Sequence, residues 1–505
     1  AASAKNWNRV LHGHGPLSAP GPMNQYDVLI VGAGVGGLAA AALLADAGRS
    51  VLVLEQHNQA GGCAATFTHR GFRFDAGATI GAGFQPGGPL HWLAERLSLT
   101  WPAHPLEVAW EYREGDLAVP LTAGRDALVR AFPASGPFWR EQAEVADDLW
   151  ALTALLPCQC RQRPPRAAPA LVRRLATTVR GRLLRLASTT AAAWLARHGL
   201  ARDAAFRRFL DAQLLISAQA TAERTNALFA ALALDLPRQH PCRIDGGIGT
   251  VAEQLSRAVR ERGGHLHTGE RVVRLVVRGR SIEAAETDRG RYRAREVLVN
   301  GSDALLAGLI GRPVASDWAA ANRAEWGAFV LHLGVERDWV RRLPAEHLQL
   351  IRTGAATLAE GDSLFLSASH PDDHTRAPAG RSAVTVSTHT RVAPWWQARN
   401  NGPEPYAALK RRYTEAALAL IDHSLGGVPQ AEPLLAGTPV TYGRYTGRHL
   451  GLVGGYAQTG WLPPRQQRFG LGNCTLVGDH SFPGQSLAGV TVGAALAADR
   501  LLRRP

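Results

Sequence analysis

Short, nearly continuous apolar runs alternate along this chain with segments of helical period, and the first alternation comes early. Val28 to Val31 is apolar throughout, as a strand buried on both faces requires. Glycines follow at Gly32, Gly34, Gly36 and Gly37, and Leu38 to Ala47 is then rich in Ala and Leu, closed by Gly48. That stretch predicts a helix with a glycine stop. A second apolar run, Ser50 to Leu54, ends on Glu55. The order of strand, glycine turn, helix and strand predicts a βαβ unit in a parallel α/β sheet. Further on, a glycine turn at Gly246, Gly247 and Gly249 leads into a helix over Val251 to Arg262. Strands are expected at His265 to Thr268, Val272 to Val277, Glu296 to Asn300, Phe329 to Leu333, Ser382 to Thr388 and 475–477. Ala204 to Ala218 reads as a helix, and another begins near Gly489.

The glycine spacing carries chemistry. In Gly32-x-Gly34-x-x-Gly37, the first glycine permits the tight turn, the second lets a pyrophosphate approach the backbone, and the third lets helix and strand pack closely. The helix N-terminus offers free N–H groups and a positive dipole end to phosphate. Glu55 lies 18 positions after Gly37, where it can accept hydrogen bonds from a ribose 2′-OH. A glycine-rich turn without a ligand is the bland alternative. FAD is expected rather than NAD, because both chain ends supply suitable residues. Gly61-Gly62 and the run through Ala78-Thr79 follow Glu55, and the final predicted strand ends on Gly478-Asp479-His480. Asp479 can bind ribityl hydroxyls. The following helix N-terminus, at Gly489 and Val490, can face the flavin edge where negative charge collects on reduction.

On these motifs the chain resembles the phytoene desaturase superfamily of flavoproteins, which also holds carotenoid isomerases, ketolases and amine oxidases. The resemblance runs from about Asp27 to Leu502, strong at both ends and weak in the middle. Three stretches look most like the carotenoid C-3′,4′ desaturases and the related carotene isomerases. They are Gly61 to Phe67 with Phe74 to Thr79, Tyr445 to Arg448 with Val453 to Thr459, and Val477 to Ser486. The resemblance implies that the backbone at Val272 meets the adenine and that Asn300 lies in a second wall of the nucleotide site. Two departures stand out. Many relatives have Ser or Thr where this chain has His480, and an arginine common in the amine oxidase branch is replaced by Cys63. The second argues against amine oxidation.

Composition narrows the reading further. With 505 residues, 46% hydrophobic and 19% charged, the chain can bury a large core, and two interwoven domains are expected. A Rossmann-type FAD-binding domain is expected from 24–100, 241–310 and 441–505. An α+β substrate domain is expected from 101–240 and 311–440. Residues 1–22 precede the sole methionine, Met23, and read as a disordered extension. Lys5 and Lys410 are the two lysines, so arginine supplies nearly all of the basic charge behind the net +14. From Leu149 to Arg202 there is no acid, yet nine arginines fall between Arg161 and Arg197. A helical pattern from Leu171, with Leu175, Val179, Leu183 and Leu186 near one stripe, suits an anionic membrane surface or a solvated cap face. Nucleic acid is not expected, since no known module is visible and no aromatics interleave the arginines.

Five scattered cysteines (Cys63, Cys158, Cys160, Cys242 and Cys474) point to a reducing compartment. No metal site is expected. His265-Leu-His267 shares one strand face but lacks a third ligand. No run reaches 18 apolar residues, so no membrane-spanning helix is expected. The resemblance implies a peripheral protein on the cytoplasmic face of a membrane, in a bacterial cytoplasm or plastid-type compartment. It implies a carotenoid substrate oxidised by hydride transfer to flavin. Isomerisation by reduced FAD is the alternative, and a non-catalytic prenyl-lipid carrier of the same fold is a third reading. Candidate catalytic groups are His480, Arg448 and Gln485. Trp395, Trp396 and Trp461 are candidate tunnel walls or plain core.

Overall fold

The computed structural model describes residues 25–153, 180–313, 326–355, 357–428, 430–460 and 469–504. The N-terminal extension, Cys158, Cys160, Trp461 and the arginine segment up to Val179 lie outside the described residues.

β1 (Gln25–Val31), α1 (Val35–Asp46) and β2 (Val51–Glu55) form the expected βαβ start. β1 pairs in parallel with β2 on one side and with the strand Arg291–Asn300 on the other. The latter strand also pairs in parallel with Cys474–Val477, and β2 pairs with His265–Thr268. Two further strands, Val272–Arg278 and Ser281–Thr287, complete a seven-stranded sheet. Sequence from the N-terminus, the middle and the C-terminus thus meets at one line of strand ends. α1 is buried all round, from Val35 to Ala45. Its Ala-rich surface lets the last helix (Leu487–Leu502) and the helix Gly249–Glu261 pack against it within one apolar cluster. Gly48, at φ 80°, turns the chain out of α1.

A second seven-stranded sheet runs in the order Leu434–Gly437, Trp326–Glu336, Arg381–Arg391, Ser363–Ala368, His347–Ile351, Trp110–Glu114 and Leu117–Leu121. Period two divides its longest strands. Phe329, Leu331 and Leu333, with Val384 and Val386, pack against Trp395 and Tyr413 of the helices Val392–Asn400 and Pro403–Leu425. Ala328, Val330, His332, Ser387 and His389 turn to the other side and border a large cavity. A helical cap with Phe138, Trp194, Phe206 and Phe209 covers the Trp110–Leu121 end.

The helix Ala204–Ala218 has the bounds its sequence predicts, with Asp203 as N-cap accepting from Phe206 N at 2.9 Å. The arginine-rich stripe differs from one of its two readings. In the helix Arg180–Ala187, Leu186 is buried and Leu183 packs on the cap core, so these leucines face the protein and not a bilayer. Arg182 is held by Glu144 and by Asp148, the latter only 4% exposed. Leu184 remains 62% exposed. Among the described residues no helix is long and apolar enough to cross a membrane.

Candidate active site

One cavity of about 2350 Å³ runs from the glycine turn of the first sheet to the inner face of the second. At its floor, α1 begins at Val35 with Gly34 as N-cap and no side-chain cap. The first-turn N–H groups of an α-helix have no intrahelical partner, so here they are left for whatever occupies the floor. Gly32 takes φ 93° to make the turn. A Cβ on Gly37 would meet Gly32 O at 2.5 Å, and one on Gly34 would meet Asn300 Nδ2 at 2.5 Å. Gly36 would clash with Gly478 Cα at 3.2 Å, and a Cβ on Gly478 itself would lie 2.8 Å from Asn300 Oδ1. The glycines of both chain ends therefore close around Asn300, the last residue of its strand. Asn300 borders the cavity and also lies beneath the glycine turn, as the residue both motifs pack upon.

Glu55 ends β2, 8% exposed, and accepts from Ala33 N at 2.8 Å and from His57 N at 2.9 Å. Both oxygens are thereby fixed beside the cavity, with lone pairs left for further donors. Gly61, at φ 119°, sends its N–H to Ala33 O at 2.8 Å, and Gly62 also borders the cavity. Ala78 N donates to Cys63 O at 3.1 Å, and Thr79 Oγ1 accepts from Ser367 Oγ at 2.8 Å. Val272, paired with Thr287, borders the cavity from the edge of the first sheet. All the candidate residues except Gly37, which lies under the turn, border this one space.

At the opposite end of the floor the last helix is capped. Ser486, at φ 86°, accepts from Gly489 N at 3.0 Å, so one N–H of that terminus is already satisfied while Gly489 and Val490 border the cavity. Between the two helix ends lies a buried charge cluster. Asp479, expected to take ribityl hydroxyls, is ion-paired with Arg448. Burial opposes the Asp479 charge, yet Arg448 and His480 hold its carboxyl below the usual carboxylate range. Burial likewise opposes the Arg448 charge, but Asp479 and Cys63 beside it raise its pKa. Burial pushes the Cys63 thiol up, against the pull of Arg448. The sequence places no arginine at Cys63, yet the fold delivers a guanidinium to it from Arg448, a distant segment. His480 is lowered by burial in spite of Asp479, which keeps its ring neutral near pH 7. Gln485 borders the cavity, but its amide is spent on Ile216 O, at 3.3 Å, and on Ser217 O, anchoring this loop to the helix Ala204–Ala218.

The tunnel candidates separate. Trp395 is fully buried, stacked on Phe329 at 5.6 Å, and belongs to the core behind the second sheet. Trp396 borders the cavity, its Nε1 donating to Leu450 O at 2.9 Å. His332 and His389 were not among the candidates. Both line the cavity, and burial pushes their pKa values down to about 3 and about 4. The signal was present in Phe-Val-Leu-His-Leu, where alternation sets His332 opposite Leu331 and Leu333. His265 and His267 stack at 6.5 Å and are held by Tyr26 and Glu270. Among the described residues no cluster could hold a metal.

A family model for an NAD(P)-binding Rossmann-like domain matches residues 30–97. The chain is 27% identical to a phytoene dehydrogenase of Streptomyces griseus, over 96% of each protein. It is 22% identical to the chloroplastic prolycopene isomerase of Daucus carota, over 95% of this chain and 80% of that protein. Along nearly its whole length the chain thus resembles proteins of the phytoene desaturase and carotenoid isomerase superfamily. Its fold is shared with an oxidoreductase of Methanosarcina mazei, at TM-score 0.62 and 17% identity, covering 92% of this chain and 98% of that one.

Proposed function

We propose that the protein is an FAD-dependent carotenoid desaturase that oxidises an allylic position of a lycopene-derived polyene, as the C-3′,4′ desaturases do. The observation that carries this reading is the single cavity, in which a glycine-built floor opens without partition onto the inner face of the second sheet. The floor fits an extended dinucleotide: an uncapped helix N-terminus, a fixed acid at Glu55 and a second helix N-terminus at Leu487. The N–H groups of the α1 first turn would hold the pyrophosphate, Glu55 the ribose, and the Val272 backbone the adenine.

Bound FAD would supply the hydride acceptor that none of the protein's own side chains provides. The chain's part is to align and to keep dry. Phe67, Phe229, Leu232, Val330 and Phe365 bound the slot with apolar surface that can grip a rod-like polyene. The Arg448–Asp479 pair brings compensated charge to the floor, so an anionic reduced ring system would gain a guanidinium neighbour. His480, held neutral, offers a proton-accepting nitrogen beside it. Tyr445 borders the cavity and is 53% exposed, marking a mouth. Exposed Leu184, Arg185 and Arg197 would rest the helical cap on the cytoplasmic face of an anionic membrane, peripherally.

Isomerisation with reduced FAD is the second reading, supported by the similarity to prolycopene isomerase along 95% of the chain. Anaerobic mixing separates the two. A desaturase bleaches its oxidised flavin as the carotenoid absorbance moves to the red and the product loses two hydrogens. Turnover only after prior flavin reduction, with product mass unchanged, would overturn the desaturase reading. Protein that purifies colourless and takes up no flavin would favour a prenyl-lipid carrier.

A further inference from the structure

A second, much smaller cavity of about 20 Å³ lies behind the large one, lined by Glu346, His347, Ser367, Arg243, His370 and Arg376 among others. That is room for about one water. Thr79 and Ser367 tie the two spaces together. Thr79 borders both cavities, and Ser367 Oγ donates to Thr79 Oγ1 at 2.8 Å. Ser367 Oγ lies 2.9 Å from His347 Nδ1. The His347 residue is 3% exposed, and its other nitrogen, Nε2, is buried with no hydrogen-bond partner. A buried orphan nitrogen at the edge of a polar, water-sized pocket is where an ordered water belongs. Beyond the pocket the path reaches the surface. Arg243 Nη1 lies 3.5 Å from Glu346 Oε1, and the half-exposed Asp245 is 2.7 Å from His104 Nε2.

We infer that Thr79, Ser367 and His347, with a water in the small pocket and Glu346 beyond it, form a proton path between the substrate cavity and solvent. The inference rests on the carotenoid reading for its chemistry. Desaturation removes a hydride to the flavin from one carbon and a proton from its neighbour, whose C–H electron pair becomes the new double bond. The proton arrives on Thr79 Oγ1 as the Thr79 hydrogen passes to Ser367. The Ser367 hydrogen passes to His347 Nδ1, and the Nε2 hydrogen leaves to the water and then to the Glu346 carboxylate. Outward transfer starts with both hydroxyls turned toward His347 and the ring hydrogen on Nε2; hydroxyl rotation is rapid, and after each transfer the ring regains its Nε2 hydrogen by tautomer exchange. The imidazole relays by exchanging tautomers and need never hold a lasting charge. Burial pushes its pKa down to about 3, with Arg376 adding to the effect. Burial also raises the Glu346 carboxyl, against Arg243 and His370, so that carboxylate is a better proton acceptor than an exposed one.

Two measurements test the path. Ser367→Ala should slow the proton-loss step at least tenfold and change its solvent deuterium isotope effect, with flavin content unaltered, and Thr79→Val should slow the same step per bound flavin. Ser367→Thr, which keeps the hydroxyl, should restore both. Wild-type rate and isotope effect in Ser367→Ala would overturn the relay, as would failure of Ser367→Thr to rescue. The second measurement needs no substrate. A high-resolution crystal structure should show an ordered water bridging His347 Nε2 and Glu346, and a dry pocket would overturn the proposal. If the wild-type protein turns over no polyene, the carotenoid reading fails, and the crystal structure decides the path alone.

Discussion

The two seven-stranded sheets meet the same cavity by opposite means. The first presents mostly backbone: its strand ends, with Gly32 to Gly37 and Gly478, offer N–H groups and few polar side chains beyond Glu55, Asn300 and Asp479. The second presents side chains from one face, with Val330, His332, Ser387 and His389 set by alternation. A backbone site of this kind tolerates almost no substitution, because an added atom meets main chain or the Asn300 side chain packed against it. A side-chain site can be rewritten residue by residue while the sheet behind it stays packed. This is a physical reason why one end of such a cavity can keep its ligand while the other changes substrate.

The largest effect expected from breaking that contrast is at the floor. Gly34→Val must displace Asn300 and crowd the turn, so the purified variant should carry less than about 1% of wild-type flavin by absorbance. Ser387→Ala, on the second sheet, should retain full flavin and change only polyene affinity. Next come the paired tryptophans. Trp395→Ala opens the core behind the second sheet and should cost ~3–5 kcal/mol in denaturant unfolding. Trp396→Phe should leave stability nearly unchanged and shift carotenoid binding, because that ring borders the cavity.

The buried histidines sharpen the comparison through pH. His332, His347 and His389 are pushed down to about 3, about 3 and about 4, from an ordinary value of 6.5. Between those values and 6.5 the unfolded chain binds more protons than the folded one. Stability is therefore full above about pH 6.5 and falls as pH falls, by up to ~1.4 kcal/mol per pH unit for each ring. Urea unfolding at pH 6.5 and pH 5 should show this loss, and His332→Phe should reduce it. The smallest effect is at the surface. Arg185→Gln with Arg197→Gln should weaken flotation with anionic liposomes about fivefold per charge, and added salt should mask the change. Arg182→Gln should instead lower stability, since Glu144 and Asp148 lose their partner.

The first sheet was readable because its signals are written in consecutive residues. A glycine spacing, a strand before it and an acid after it are local facts, and each has a single physical reason. The Ala204–Ala218 helix was equally readable, with its Asp203 cap and apolar stripe. The second sheet was not. His332 and His389 sit 57 positions apart and share a face because Trp326–Glu336 pairs antiparallel with Arg381–Arg391, in a register that no local signal sets. The arginine stripe left two readings open for a related reason. An amphipathic helix looks the same whether its leucines meet lipid or protein, and Leu183 and Leu186 meet the cap core.

By itself the sequence determined that a glycine turn between a strand and a helix exists and which residues build it, because glycine, turn and helix terminus are properties of adjacent positions. It also determined that Trp395, Trp396, His480, Arg448 and Gln485 would be large or polar groups needing partners. Only the tertiary structure decided which partners. It sent Arg448 to Asp479 and Cys63, Gln485 to the carbonyls of Ile216 and Ser217, and Trp395 to the core while its neighbour faced the cavity. Those choices depend on contacts between segments hundreds of residues apart. A buried polar group takes whichever partner the packing brings within reach, and residue type alone does not say which that will be.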